Sequence, residues 1–316
     1  MKSRWIITVS LASMALFQTL PAWAQSSAPA PVASPTAAVA QRTVTPALWV
    51  LKDADTTIYL FGTFHFLPPG LNWNLGPVKA AFDSADTLKL EIANLEADTP
   101  AIAALIAEKG KLATGQTLSD GLNTAQQANL NRVIRETNIP PQAISSLRPW
   151  LASLYMTVTL YQKMGLDPTK GVDKTLDGLA RARNIPVEGF ETGAEQIAFF
   201  TNMAPAQERA LLLSTLEDWD QAQKTLDGMV NAWARGDANR IGRMLSDSLR
   251  SQPELERILM TDRNSQWADW IGARMATPGT VFVAVGAGHL AGPQSVQSYL
   301  RKKGFRTQRV PNRTPR

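Results

Sequence analysis

The stretch Thr56–Ile92, "TTIYLFGTFHFLPPGLNWNLGPVKAAFDSADTLKLEI", decides the fold. It opens with "TTIYLFG", an apolar run rich in β-branched and aromatic residues, which reads as a strand. Pro77 presets the backbone for the first turn of a short helix, "PVKAAFDSAD", and "TLKLEI" follows as a second strand. Strand, crossover helix and strand within about 35 residues make a βαβ unit, and its strands run parallel. Parallel neighbours end on the same side of a sheet. His65, just beyond the first strand, and Glu91, at the end of the second, are therefore expected to face one crevice.

Outward from this unit the same logic recurs. Upstream, "ALWVLKD" and an Asp-Ala-Asp turn predict a strand joined by a hairpin to the first. Downstream, residues from about Thr99 to Leu166 carry helical periodicity broken by Pro and Gly, a helical layer or cap. In "GVDKTLDGLARARNIPVEGFET" an amphipathic helix, about Val172–Arg183, leads to a strand, Pro186–Phe190, with Glu191 just past its end. Helices are expected over Ala206–Ala234, Ala238–Leu249 and Pro253–Met275. The chain closes with the strand "VFVAVG", a GAGH loop, a helix begun by Pro293 and stopped by Gly304, and a last strand around "FRTQRV". The expected class is α/β: a central mixed, partly parallel sheet flanked by helices, with a large helical insertion or cap. No repeat of fixed period points to a solenoid or propeller.

The first 24 residues stand outside that fold. Lys2 and Arg4 precede a long apolar stretch that ends in Ala22-Trp23-Ala24, the pattern of a cleaved signal peptide. The rival is an uncleaved anchor, which the small-residue cleavage site disfavours. No cysteine follows the site, so a lipoprotein is excluded, and the expected location is periplasmic or secreted. Residues 25–45, rich in Ala, Pro and Ser, read as a linker, 46–310 as the α/β domain and 311–316 as a basic tail. The chain has no cysteine, so disulfides, thiolate ligands and a cysteine nucleophile are all excluded. No later apolar run reaches the roughly 18 to 20 residues of a membrane span. Net charge is +5, falling to +3 without Lys2 and Arg4, and seven basic residues crowd the last 16 positions. The body is then slightly acidic, which argues against a nucleic-acid partner.

The chain has two histidines, and both sit in a GxxH setting after a predicted strand: Gly62 to His65 and Gly286 to His289. With Glu91 and Glu191 they place two imidazoles and two carboxylates at four strand ends. Such a set can hold Zn, Mn or Co and leave a position for water, whose pKa the ion lowers for hydrolysis. Each motif is weak alone; the two together favour a site. Arg148, in "SLRPW", either pairs with a carboxylate or substrate or anchors Trp150. Asp173 reads most simply as the cap of the helix that follows it. A GxSxG elbow, an HExxH helix, a Walker loop and a GxGxxG fingerprint are absent, and "GAGHLAG" lacks the Lys-Ser/Thr of a phosphate loop.

Six segments in order, "LFGTFHFLP", "LKLEI", "LRPW", "KGVD", "VEGFETGAEQ" and "VFVAVGAGHLAGP", resemble the TraB/PrgY/GumN family from about Ala47 to Arg309. Through it the chain is distantly similar to the Tiki metalloproteases and to the erythromycin esterase and ChaN-like group. The resemblance implies that His65, Glu91 and His289 form the catalytic or metal set, with Arg148 and Glu191 at further polar motif positions. The expected function is an exported metal-dependent hydrolase of the peptidase kind, with a two-GxxH metal site at the strand ends and a peptide or small molecule as substrate. In that reading Glu191 is a further ligand or base, and Arg148 stabilises charge on the substrate. The alternatives are a non-catalytic binding protein for haem or peptide, and a metal-free esterase with one histidine as general base.

Overall fold

A computed structural model describes residues 41–250 and 252–312. The signal-peptide segment 1–24, most of the linker and residues 313–316 lie outside the described residues. The stretch expected as one domain divides into two compact units. One is α/β, built from residues 41–93, 168–191 and 226–312. The other is helical, Asn94–Asp167 with Thr192–Thr225, two insertions into the chain of the first.

The α/β unit carries strands β1 (Arg42–Thr43), β2 (Leu48–Lys52), β3 (Thr56–Thr63), β4 (Leu71–Asn72), β5 (Thr87–Ile92), β6 (Val187–Glu191), β7 (Gly279–Gly286) and β8 (Gln308–Arg309). Six of them form a mixed sheet in the order β6-β5-β7-β3-β2-β8. β6, β5, β7 and β3 are parallel, and β2 runs antiparallel to β3 and to β8. The hairpin between β2 and β3 forms where expected. Its turn is closed by the Asp53 carboxylate, which accepts from the backbone of Asp55 and Thr56. β3 and β5 are parallel but not adjacent, because β7 returns late in the chain to lie between them. The linker also ends earlier than expected: Arg42–Thr43 pairs with β4, and Val44 is buried.

Alternation along the central strands builds two layers. Ile58 and Leu60 of β3 share a face with Val281, Val283 and Val285 of β7, packed on Trp267 and Ile271 from helix Asp262–Arg274 and on Val296 and Leu300 from helix Val296–Lys302. The last helix begins after Ser295, not at Pro293. On the other face Phe61 and Phe282 meet at 5.7 Å between ring centroids, and Phe82 of helix Gly76–Asp83 packs edge-on against Phe282. With both faces covered, Val281 to Val285 stay within 1% exposure, so β7 reads as a continuous apolar run.

In the helical unit, helix Pro149–Lys163 is the buried centre, with Trp150, Leu154, Met156 and Val158 at 0% exposure. Helix Thr124–Thr137 starts with a capping box between Asn123 and Gln126. No helix among the described residues is long and apolar enough to cross a membrane.

Candidate functional site

Four parallel strands end at the same rim of the α/β unit, and each delivers one group. His65 follows β3, Glu91 lies in β5, Glu191 is the last residue of β6, and His289 follows β7. The two GxxH loops are neighbours because Gly62 pairs with Val285 and Thr63 with Gly286. Gly62 is required for that contact: a Cβ there would stand 2.9 Å from the Cα of Ala287, inside the second motif. Its carbonyl accepts from Trp233 Nε1 at 2.7 Å.

His65 is positioned by the start of helix Val172–Ala182. Gly171 approaches so closely that a Cβ would lie 2.4 Å from the His65 carbonyl oxygen, and Val172 N–H donates to Phe64 O at 2.9 Å. This brings Asp173 to the imidazole, with Oδ2 2.8 Å from Nδ1, while Oδ1 accepts from the Thr63 hydroxyl. The N-cap position of this helix is Gly171 and Asp173 lies in its first turn, with its two oxygens turned to Thr63 and His65 in place of a cap. A carboxylate on Nδ1–H fixes the tautomer that leaves the lone pair on Nε2.

His289 is held otherwise. Its Nδ1 is 2.6 Å from Asn264 Oδ1, and the orientation of that amide is set because Asn264 Nδ2 donates to Gln294 O at 2.7 Å. Nδ1 therefore carries the proton, and Nε2 accepts from Arg263 Nη1 at 3.2 Å. Trp267 closes one side with its ring centroid 4.5 Å away. Burial first, then the Arg263 charge, push this imidazole down to about 3, so it is neutral at ordinary pH.

Arg263 joins the remaining groups. Nε and Nη2 make a two-point pair with Glu191 at 2.7 and 2.8 Å, and Nη2 also donates to Glu91 Oε2 at 2.7 Å. Nη1 donates to Leu259 O and to His289, so all five N–H donors are placed. Glu91 Oε1 accepts from Gly286 N–H at 2.7 Å. Burial would raise the Glu91 carboxyl; the guanidinium, the imidazoles and the Gly286 amide outweigh it and hold it at about 2. Because His289 is neutral at ordinary pH, Arg263 is the principal stabiliser of the Glu91 carboxylate there. A π-helical turn, Arg257–Thr261, directly precedes the helix that carries Arg263, a local widening of the kind found at functional sites.

Sequence reasoning overlooked Arg263 and Asn264. The available signal was phase: they share the helix face of Trp267 and Ile271, so an arginine lies in an apolar stripe, where it needs a partner. Arg148, by contrast, belongs to the helical unit. Its guanidinium pairs with buried Glu208 and donates to Lys109 O and Thr201 O, the last carbonyls of helices Leu95–Lys109 and Gly193–Thr201. That satisfies two helix C-termini and matches the carboxylate-partner reading.

The metal expectation meets a geometric obstacle. Among the described residues no three His, Asp or Glu side chains are arranged to hold an ion. Glu91 Oε2, both oxygens of Glu191 and His289 Nε2 are taken up by Arg263, and Glu91 Oε1 by the Gly286 amide. As arranged they fit a guanidinium, not a resident divalent ion.

Comparison with known proteins agrees with the motif order. The chain is 27% identical over 256 residues to the uncharacterized protein YbaP of Escherichia coli strain K12, covering 81% of this chain and 92% of that one. It is 29% identical over the same length to uncharacterized YbaP of Shigella flexneri, with the same coverage. No solved structure matches. The model of the TraB/PrgY/gumN family matches residues 47–309, nearly the whole described chain, and the protein belongs to that family.

Proposed function

We propose that the protein is an exported hydrolase of peptide or ester bonds in which His65, oriented by Asp173, is the general base. The carrying observation is the difference in what holds the two imidazoles: His65 has a carboxylate on Nδ1, and His289 has an amide. His65 Nε2 takes a proton from water as the water oxygen attacks the carbonyl carbon. The imidazolium then returns the proton to the leaving group. Asp173 stabilises the imidazolium and keeps Nε2 toward the reacting water. Arg263 has no donor left for substrate, so its role is positioning: it holds Glu91, Glu191 and His289 in one rigid block. Export rests on the N-terminal sequence, Lys2 to Ala24.

A second, ion-dependent reading has one observation in its favour, since a carboxylate-held imidazole is also how zinc-binding histidines are oriented. It requires Arg263 to release Glu91 and Glu191. The test is turnover of p-nitrophenyl esters and a peptide library by wild type, His65→Ala and Asp173→Asn, each with and without chelator. The proposed reading expects chelator-resistant turnover that falls roughly 10²- to 10⁴-fold in either variant. Chelator-sensitive turnover, with Zn, Mn or Co retained in dialysis, selects the ion-dependent reading. Turnover equal in His65→Ala and wild type removes both.

A further inference from the structure

The helical unit holds a cleft of its own, about 450 Å³, a size in the roughly 300–1,000 Å³ range of small-molecule sites. Leu112, Leu118, Leu122 and Leu212 supply an apolar wall, and Lys111, Arg148 and Arg209 supply cations. The backbone sets Lys111 beside Arg148: Lys111 bridges to Leu147, and Arg148 N–H donates to Gly110 O at 2.8 Å. Arg209 follows Glu208, the buried partner of Arg148.

Around this cleft donors are left over and acceptors are not. Both acids in the wall are spent: Glu208 holds Arg148 with its two oxygens, and Asp120 accepts from the N–H and the hydroxyl of Thr117. Arg209 gives one N–H to Gly121 O and one to Asp120 O, so Nε–H and one hydrogen on each Nη have no partner among the described residues. Arg148 is held still by Glu208, Lys109 O and Thr201 O, and it keeps one Nη1 hydrogen. The Lys111 ammonium has no partner among the described residues. Three cations, Lys111, Arg148 and Arg209, less two acids, Asp120 and Glu208, leave one unmatched positive charge, which suits a monoanion. Helices Pro149–Lys163 and Pro205–Asp218 begin in the same wall, and their first turns add to that sign.

We propose that this cleft binds a small monocarboxylate with an apolar body. The carboxylate takes the unspent donors of Arg209, with Arg148 and Lys111 beside it, since guanidinium groups match the two oxygens of a carboxylate. The apolar body covers the leucine wall, which inorganic phosphate would leave bare. Arg148, expected from its setting to meet either a carboxylate or a substrate, then meets both: Glu208 fixes it, and the ligand uses the hydrogen that remains. The site lies wholly within the helical unit and does not depend on the hydrolase reading.

The probes are octanoate, N-acetyl-leucine, octan-1-ol and inorganic phosphate, titrated into the purified protein by calorimetry and followed by amide NMR. The expected result is saturable binding of a carboxylate, weakened by added salt, with shifts confined to residues 111–122, 148–149 and 205–212. Octan-1-ol and phosphate should bind roughly tenfold more weakly or not at all. Arg209→Gln and Lys111→Gln, both at exposed positions, should each weaken carboxylate binding roughly five- to tenfold without moving the melting temperature of the free protein. Preference for octanoate names a fatty-acid-like ligand, and preference for N-acetyl-leucine names an acylated amino acid; either supports the site. The proposal is overturned if neither carboxylate binds saturably, if octan-1-ol binds as tightly as octanoate, if phosphate binds more tightly than both carboxylates, or if the two variants bind like wild type.

Discussion

The two GxxH loops share their spacing, their position after a parallel strand and their place in adjacent strands of one sheet. Their histidines are nevertheless built for opposite ends. His65 retains 7% exposure and gives Nδ1 to a carboxylate, which stabilises an imidazolium. His289 has no exposure, gives Nδ1 to an amide, and faces a guanidinium that repels any proton on Nε2. One ring has a carboxylate for its partner, and the other an amide and a guanidinium that keep it neutral. A motif therefore fixes where an imidazole stands; its partner decides what the imidazole can do.

The sharpest way to break this contrast is to remove the cation on which one side of it depends. Arg263→Met leaves Glu91, 5% exposed, without its buried counter-charge. Breaking a buried pair from one side costs about 3–5 kcal/mol. Urea denaturation is expected to show that loss. Arg263→Lys should recover little of it, since one ammonium cannot span Glu91, the two oxygens of Glu191 and His289. A loss under 1 kcal/mol for Arg263→Met would show that the four groups are not interdependent.

What was legible beforehand follows from the range of each interaction. The strands, the β2–β3 hairpin and the four strand-end residues were readable, because apolar runs and Gly breaks are local patterns. Which groups bind one another was not. Arg263 meets Glu91 across 172 residues of sequence, and Asp173 reaches His65 across 108. Those pairings depend on how helices dock on the sheet. The order of strands was hidden for the same reason: β7 enters between β3 and β5 from the far end of the chain. Arg148 is a further case, a polar residue between apolar neighbours whose partners, Glu208 and two helix ends, lie 39 to 60 residues away in sequence.

Acid titration separates the histidines next. Burial and the Arg263 charge hold His289 at about 3, below its ordinary 6.5, so the unfolded chain binds a proton that the folded one refuses. Its contribution to stability is complete above pH 6.5 and is lost as pH falls from there toward 3. Glu91, held at about 2 against an ordinary 4.5, adds a second loss between those values, again toward acid. Stability of wild type, read by urea denaturation across pH, should therefore fall steeply below pH 6, by an amount on the order of 5 kcal/mol for His289 alone. His289→Gln removes the titrating ring and should flatten the upper part of that fall. An unchanged slope would mean that His289 takes up a proton in the folded protein.

The smallest expected effect converts one histidine's environment toward the other's. Asn264→Asp puts a carboxylate on Nδ1 of His289, as Asp173 does for His65. It also removes the donor to Gln294 O, a loss of roughly 1–3 kcal/mol for a buried acceptor left unmet. The new charge favours imidazolium, so the ring's titration moves upward. Once protonated, Nε2–H points at Arg263 Nη1, donor against donor, and the block around Glu91 and Glu191 should loosen at a pH where wild type stays rigid. Nitrogen NMR of the imidazole reads this directly. Wild type should keep a bare Nε2 through mild acid, while the variant should gain a proton there. If both rings titrate alike, the amide–carboxylate difference is not what divides the two histidines, and Arg263 alone must account for it.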